Sequence, residues 1–140
     1  MKAVLRTLFL AILCSVAVSA QTKKNVLLDR EYWKAAPEVS KIESDIKSGN
    51  NPAEMTSAGF DATVYAILEK APDASVHYLL TQPGNDVNKI THDGRTYIFW
   101  AAYVGNTDLM QYLQSKGAKT DIIEDHGYTI ANFAASTGQT

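Results

Sequence analysis

Two histidines, each beside an aspartate, are the side chains of this chain best suited to chemistry. His92 precedes Asp93, and His126 follows Asp125, in two stretches rich in turn-forming residues. Imidazole and carboxylate groups bind zinc when three or four of them converge at about 2 Å from the ion. We expect the two turns to lie several times farther apart than that. These side chains are therefore predicted to cap turns, and a zinc site shared between the turns is the alternative.

The sequence carries none of the compact motifs that build common catalytic centres. It has no Gly-x-Ser-x-Gly, no His-Glu-x-x-His, no phosphate-binding loop and no dinucleotide-binding glycine pattern. Its one cysteine, Cys14, lies in an apolar N-terminal stretch. Serine, histidine and aspartate occur in predicted turns and helix ends, where they are weak evidence of a catalytic triad. The chain is predicted to be non-catalytic, with no cofactor, no metal and no small-molecule substrate.

One ten-residue pattern occurs twice. Residues 96–105, TYIFWAAYVG, return 33 positions later as residues 129–138, TIANFAASTG. Thr63 lies 33 positions before Thr96 and places a further unit in the same frame. Such a period is the signature of a stacked-repeat protein, in which each unit packs only on its neighbours. Function is therefore expected on a continuous surface rather than in a closed pocket, and the expected function is binding.

The first part of the unit, residues 97–104, is predicted to form a short helix. Its small pair, Ala101-Ala102, lets a neighbouring helix approach closely, and Gly105 can adopt the left-handed conformation that ends a helix. Pro72 stands 33 positions before Gly105 and is predicted to mark the same boundary, since the residue before proline avoids the helical region.

A second helix is expected next, with Thr107 or Asp108 as its N-cap and Gly117 at its end. Its apolar face has helical spacing and consists of Leu109, Tyr112 and Leu113. Between units, residues 86–94 and 121–127 combine turn formers with β-branched residues, which predicts an extended finger ending in a tight turn.

The third unit resembles an ankyrin repeat. Residues 93–106, DGRTYIFWAAYVGN, and 108–118, DLMQYLQSKGA, carry the likeness, which is clear from Phe60 to Gly138 and loose before that. The family pattern is broken where Thr-Pro-Leu-His is usual, because residues 96–99 read Thr-Tyr-Ile-Phe. The resemblance implies an all-α helical solenoid of helix-turn-helix units with finger loops. It also implies binding of a protein partner through the concave face and the fingers.

In this frame the chain divides into a signal peptide, a divergent capping repeat and further ankyrin repeats. The capping repeat is predicted to hold a helix pair, with residues 32–36 in the first helix and an apolar face in the second that ends before Gly49. The boundaries are 1–20 for the signal peptide, 21–58 for the capping repeat, and 59–90, 91–123 and an incomplete 124–140 for the repeats.

The resemblance also indicates which positions vary to suit a partner. They are the finger-tip residues and the two positions after the Ala-Ala pair. In this sequence the predicted partner-binding residues are His92, Asp93, Arg95, Tyr103, Val104, Asp125, His126, Tyr128, Ser136 and Thr137. Tyrosine and arginine are over-represented at binding hot spots, so Arg95, Tyr103 and Tyr128 are the leading candidates, with ordinary solvated surface as the alternative.

Ile67, Trp100 and Phe133 recur at the same spacing and resemble an aromatic binding ladder. In ankyrin repeats the corresponding position is ordinarily buried between units. We therefore predict that the three side chains belong to the core.

The N-terminus has the three parts of a secretory signal peptide. Lys2 and Arg6 precede an apolar run, and a small-residue site predicts cleavage after Ala20. The run is short for a membrane span, which needs about 20 apolar residues, so a retained anchor is the alternative. The protein is predicted to be periplasmic or secreted, like the exported ankyrin proteins of Gram-negative bacteria that it resembles, with no membrane span in its mature part.

Removing Lys2 and Arg6 from 13 basic residues leaves 11 against 15 acidic ones. No cluster of lysine and arginine is present, so neither nucleic acid nor an anionic membrane surface is an expected partner.

The chain stops after the first predicted helix of its fourth unit, and Thr140 is its last residue. This suggests a fragment of a longer repeat protein, or a degenerate last helix that serves as its own cap. Two other functions stay open: a regulatory arm of an enzyme whose catalytic part lies beyond Thr140, and a structural component of an envelope assembly.

Overall fold

The computed structural model describes residues 24–138, so the predicted signal peptide lies outside the described residues. Within that range the chain forms seven α-helices and two short 3-10 helices, Val26–Leu28 and His92–Gly94. The α-helices are α1 (Arg30–Lys34), α2 (Val39–Lys47), α3 (Ala62–Leu68), α4 (Asp73–Leu80), α5 (Tyr97–Tyr103), α6 (Thr107–Ser115) and α7 (Ile130–Ser136). Over the same residues no helix combines the length and the apolar character that a membrane crossing requires.

The helices lie in two layers. In the first layer α1 packs on α3, α3 on α5 and α5 on α7, while α3 and α5 each pair with the helix that follows. In the second layer α2 packs on α4. The rings of His77 on α4 and Tyr112 on α6 stack with their centroids 3.6 Å apart. Each unit thus packs on its neighbours, which confirms the predicted all-α helical solenoid.

The predicted helix ends are mostly confirmed. Gly105 follows α5 at φ 71° and Gly117 follows α6 at φ 92°, in the left-handed region where glycine is least strained. The expected helix pair near the N-terminus is α1 and α2, and Gly49 follows it at φ 96°. The predicted cap of α6 is wrong, because the Asn106 side chain, not Thr107 or Asp108, accepts the hydrogen bond from the Leu109 backbone N–H.

The register predicted for the second unit is also wrong. Asp61, not Thr63, precedes α3 as Thr96 precedes α5, and its carboxylate caps the helix by accepting from the backbone N–H of Val64 at 2.9 Å. Lys70, at φ 54°, holds the left-handed position of Gly105, and Pro72 is instead the N-cap of α4. The connection between α3 and α4 is therefore longer than its counterpart between α5 and α6.

The core runs through all units. Ile67, Trp100 and Phe133 are all buried, so the prediction that they belong to the core is confirmed. In the corrected register the counterpart of Trp100 is Tyr65 rather than Ile67. The fully buried Trp33 ties the first unit together, since its indole N–H donates to the carbonyl of Leu27 at 2.9 Å.

A buried polar group joins the second and third units. The Asp61 carboxylate accepts from the Tyr97 hydroxyl and contacts the Lys89 ammonium, both at 2.7 Å. Lys89 also donates to the carbonyl of Ala53 at 2.9 Å. Burial, together with the negative charge of Asp61, raises the pKa of the Tyr97 hydroxyl, so Tyr97 stays protonated and remains a donor.

Candidate functional site

Three loops alternate with the helix pairs and are named here finger 1 (residues 55–61), finger 2 (90–96) and finger 3 (123–129). Each is closed by a backbone hydrogen bond across its base. In finger 1 Thr56 N donates to the carbonyl of Phe60 at 2.8 Å. The same bond joins Thr91 to Arg95 at 2.8 Å in finger 2, and Glu124 to Tyr128 at 3.0 Å in finger 3. The three fingers are therefore equivalent turns, of which the sequence predicts two, over residues 86–94 and 121–127.

Neighbouring fingers are bonded to each other. The backbone N–H of His92 donates to the carbonyl of Gly59 at 2.9 Å, and that of Asp125 donates to the carbonyl of Asp93 at 3.0 Å. The approach is close enough that a Cβ on Gly94 would lie 2.5 Å from a carboxylate oxygen of Asp125. The expectation that neighbouring turns lie far apart is therefore wrong, because backbone hydrogen bonds hold them together.

Arg95 is the centre of a charged cluster between fingers 2 and 3. Its guanidinium lies 2.6 Å from the Glu124 carboxylate and 3.1 Å from that of Asp93. It also lies over two rings, 4.5 Å from the centroid of Phe133 and 5.3 Å from that of Trp100. The Arg95 side chain is only 11% exposed. The sequence places it on the surface, whereas the structure makes it a bridge between units with one face towards solvent.

Glu124 is the buried anion of this cluster. Its carboxylate accepts from the backbone N–H of His126 at 2.8 Å and of Tyr128 at 3.2 Å, in addition to Arg95. Burial raises the pKa of Glu124, but the hydrogen bonds from Tyr128, His126 and Arg95 outweigh burial and lower it to about 2. Glu124 is thus ionised at neutral pH and holds finger 3 closed.

The two histidines converge on one carboxylate. His92 Nε2 lies 3.1 Å and His126 Nδ1 lies 3.9 Å from the same Asp93 oxygen. The other ring nitrogen of His92 lies 2.8 Å from the carbonyl oxygen of Ala58, and His126 Nδ1 is closer to Glu124, at 3.1 Å. These nitrogens have protein partners, and residues 24–138 contain no group of three or more acidic, histidine or cysteine side chains suited to a metal ion.

An open groove of about 560 Å³ runs along the first helices and the fingers. Trp100 and Phe133 are buried in its floor, while Tyr103 is 42% exposed beside them. The Tyr103 ring lies 5.9 Å from that of Phe133 and 6.4 Å from that of Trp100. Residues from all four units line the groove: Arg30, Phe60, Leu68, His92, Arg95, Trp100, Tyr103 and Phe133.

The groove brings together three of the ten predicted partner-binding residues, His92, Arg95 and Tyr103. Asp93 lies beside it as the anion shared by Arg95 and both histidines. The other six predicted residues do not line the groove, and Val104 lines a different cavity between the helix pairs α3–α4 and α5–α6. Of these, Asp125, His126, Tyr128 and Ser136 are exposed, and Val104 and Thr137 are half-buried.

Phe60 and Leu68 were missed in the sequence for one reason. In the corrected register they are the counterparts of Arg95 and Tyr103, but a frame of 33 residues assigns both positions to other residues.

A third position was overlooked in every finger. The residue that enters the finger is exposed and apolar each time, as Met55, Ile90 and Ile123. An alignment of the three finger sequences on their turns would have revealed this apolar row.

Comparison with known proteins agrees with this geometry. A family model described as "Ankyrin repeats (3 copies)" matches residues 47–140. The chain is also similar to the ankyrin repeat domain-containing protein OPG015 of monkeypox virus, with 34% identity over 53 residues. That alignment covers 38% of this chain and 12% of the viral protein, so the chain matches only a small part of its relative. Because the family model covers more than half of its length, the chain belongs to the ankyrin repeat family.

Proposed function

We propose that this chain is an exported, non-catalytic module that binds a protein partner through the groove and the exposed edges of the fingers. Ankyrin repeats are protein-interaction modules, which supports binding as the general mode. The single observation that carries the proposal is that four successive units contribute side chains to one groove. A surface assembled in this way suits an elongated partner, since each unit adds its own contacts.

The composition of the groove fits a protein interface. Binding hot spots are enriched in tryptophan, tyrosine and arginine and cluster in well-packed, desolvated places. Trp100 and Phe133 provide a rigid buried floor, and Tyr103 presents an exposed ring with a hydroxyl at its tip. The apolar row of Met55, Ile90 and Ile123 offers further exposed apolar surface on the fingers.

The test compares capture of partners from the envelope fraction by the full chain and by a groove variant, Tyr103→Ala. Arg95 is unsuitable for this purpose, because its substitution would disturb the bridge to Glu124. The matched control is Tyr78→Ala, which removes a half-buried aromatic ring on α4, a helix that contributes nothing to the groove. We expect proteins retained by the chain and the control to be lost from Tyr103→Ala. Equal retention by all three would refute the groove as the binding site.

Export rests on the N-terminal pattern of charged, apolar and small residues in positions 1–20. We expect the protein recovered from outside the cytoplasm to begin at Gln21. Mass determination of the intact protein from fractionated cells measures this directly. Recovery of the uncleaved chain in the cytoplasmic fraction would refute export while leaving the binding proposal intact.

A further inference from the structure

We propose that the segment recognised by the groove is an acidic peptide that presents an apolar side chain beside its carboxylates. This inference rests on the proposed function and specifies the chemistry of the partner. It follows from three observations: the sign of the charges that line the groove, the depth at which their counter-ions lie, and the apolar floor between them.

Of the acidic and basic residue types, only basic ones line the groove. Arg30, His92 and Arg95 line it, and no carboxylate does. The whole chain, in contrast, has a formal net charge of −2. The basic character of the groove is therefore local, and it is opposite in sign to the rest of the molecule.

One carboxylate lies beneath each of the two arginines. Arg30 is bonded to Glu69, and their side chains are 55% and 10% exposed respectively. Arg95 covers Glu124, whose side chain is fully buried. The outer end of each of these two pairs is positive, which favours an anion arriving from solvent. At Arg95 that end is shared with Asp93, which lies 3.1 Å away with its side chain 30% exposed, so the stronger attraction for an anion is at Arg30.

Hydrogen-bond donors remain for such an anion. A guanidinium has five N–H groups, and in Arg30 only the Nε and one terminal nitrogen contact Glu69, while the side chain stays largely exposed. A carboxylate fits this geometry because arginine binds it through two parallel hydrogen bonds.

The space between the arginines is apolar, so a ligand that offers only negative charge would leave this apolar surface exposed to water. Phe60 and Leu68 are half-buried, and Tyr103 adds an exposed ring. An aromatic or aliphatic side chain would bury this surface, which contributes about 25 cal/mol for each Å² removed from water. Single-stranded nucleic acid also uses aromatic rings and cations, but it needs a row of cations along its backbone. The groove has no lysine, which favours a peptide.

The first experiment selects a random peptide library displayed on phage against the full chain, with parallel selection against Tyr103→Ala. We expect enriched peptides to combine aspartate or glutamate with a neighbouring aromatic or aliphatic residue. Synthetic copies with every carboxylate changed to its amide should bind about tenfold more weakly, equivalent to roughly 1.4 kcal/mol. Titration calorimetry measures both peptides.

The second experiment neutralises a groove ion pair with the double variant Arg30→Gln, Glu69→Gln. It should bind the acidic peptide several-fold more weakly and bind the amide peptide as the unchanged chain does. The matched control is Glu43→Gln, Lys47→Gln, which removes an exposed pair on α2 away from the groove. We expect the control to bind both peptides unchanged, and the circular dichroism of all variants should stay the same.

The outcomes separate the two proposals. Enriched peptides that are basic or uncharged but fail to bind Tyr103→Ala would overturn the acidic partner and retain the groove. Enriched peptides that bind Tyr103→Ala equally well would refute the groove itself. Displacement of the acidic peptide by oligothymidine at similar concentration, or no enrichment over the Tyr103→Ala selection, would also overturn the acidic peptide.

Discussion

Replacing Lys89 by methionine should destabilise the solenoid more than its position in a loop suggests. Lys89 holds its ammonium 2.7 Å from Asp61, whose side chain is fully buried between units. Methionine fills similar space but removes the charge. Asp61 would keep its hydrogen bonds from Val64 and Tyr97 while its negative charge lost its cation.

The size of the effect follows from the burial of the pair. Removing one partner of a buried ion pair costs about 3–5 kcal/mol, since the remaining charge is left uncompensated. The Lys89 side chain is 12% exposed, so water partly solvates the site and the lower end applies, about 3 kcal/mol. At about 4 °C for each kcal/mol, the melting temperature should fall by about 12 °C.

The assay is urea unfolding of four chains: unchanged, Lys89→Met, Asp61→Asn, and the double variant. Asparagine preserves the side-chain oxygen that caps α3, so the double variant removes both charges and retains the cap. We expect the double variant to be more stable than Lys89→Met, with a coupling energy of about 1–3 kcal/mol. Lys47→Met, which breaks the exposed pair with Glu43, is the control and should cost at most about 0.5 kcal/mol. If Lys89→Met cost no more than this control, the buried pair would not hold the units together.

Three further predictions concern the fingers and the groove. Gly94→Ala should lower the melting temperature more than Gly127→Ala does. Both glycines have positive φ, but the added Cβ would meet Asp125 only at Gly94, whereas Gly127 faces open space. Equal falls in melting temperature would mean that the contact between fingers 2 and 3 can move apart to accept the added Cβ. Glu124→Gln should flatten the dependence of stability on pH, because folding lowers the pKa of Glu124 to about 2. The contribution of Glu124 to the free energy of unfolding is complete above the ordinary pKa of glutamate and disappears as the pH falls towards 2. Urea unfolding across this pH range measures the effect, and an unchanged profile would contradict the prediction. Trp100→Ala should cost about 3–5 kcal/mol in urea unfolding because its ring is buried, whereas the exposed Tyr103→Ala should cost far less, and similar losses would contradict the groove geometry.

Much of the fold could be predicted because helix ends and small residues are local signals. Gly105, Gly117 and the pair Ala101-Ala102 fix where helices stop and where they approach, whatever the partners elsewhere. The register of the second unit could not be predicted in this way. Lys70 adopts a positive φ, which a lysine in the sequence does not predict. The longer connection from α3 to α4 then shifts the second unit out of the 33-residue frame.

The candidate site was predicted less completely because its charges pair over long distances in sequence. The sequence predicts Arg95 to be an exposed finger residue. In the structure it pairs with Glu124, which follows two helices later in the chain and links the two units. Similarly, Arg30 and Glu69 meet across two units. A sequence pattern records the spacing of units but not which surface charges are drawn together when they stack.

The assembly of the groove from four units links recognition to cooperativity. Phe133 lies on α7, which packs against α5, and any opening of that contact removes part of the floor together with one ring that faces Arg95. In the proposed binding mode a chain with one unit opened would be unable to bind, and the apparent dissociation constant would be the intrinsic one divided by the fraction of intact stacks. By mass action a partner that spans the groove in turn closes the stack, so binding should protect backbone amides in helices it never touches.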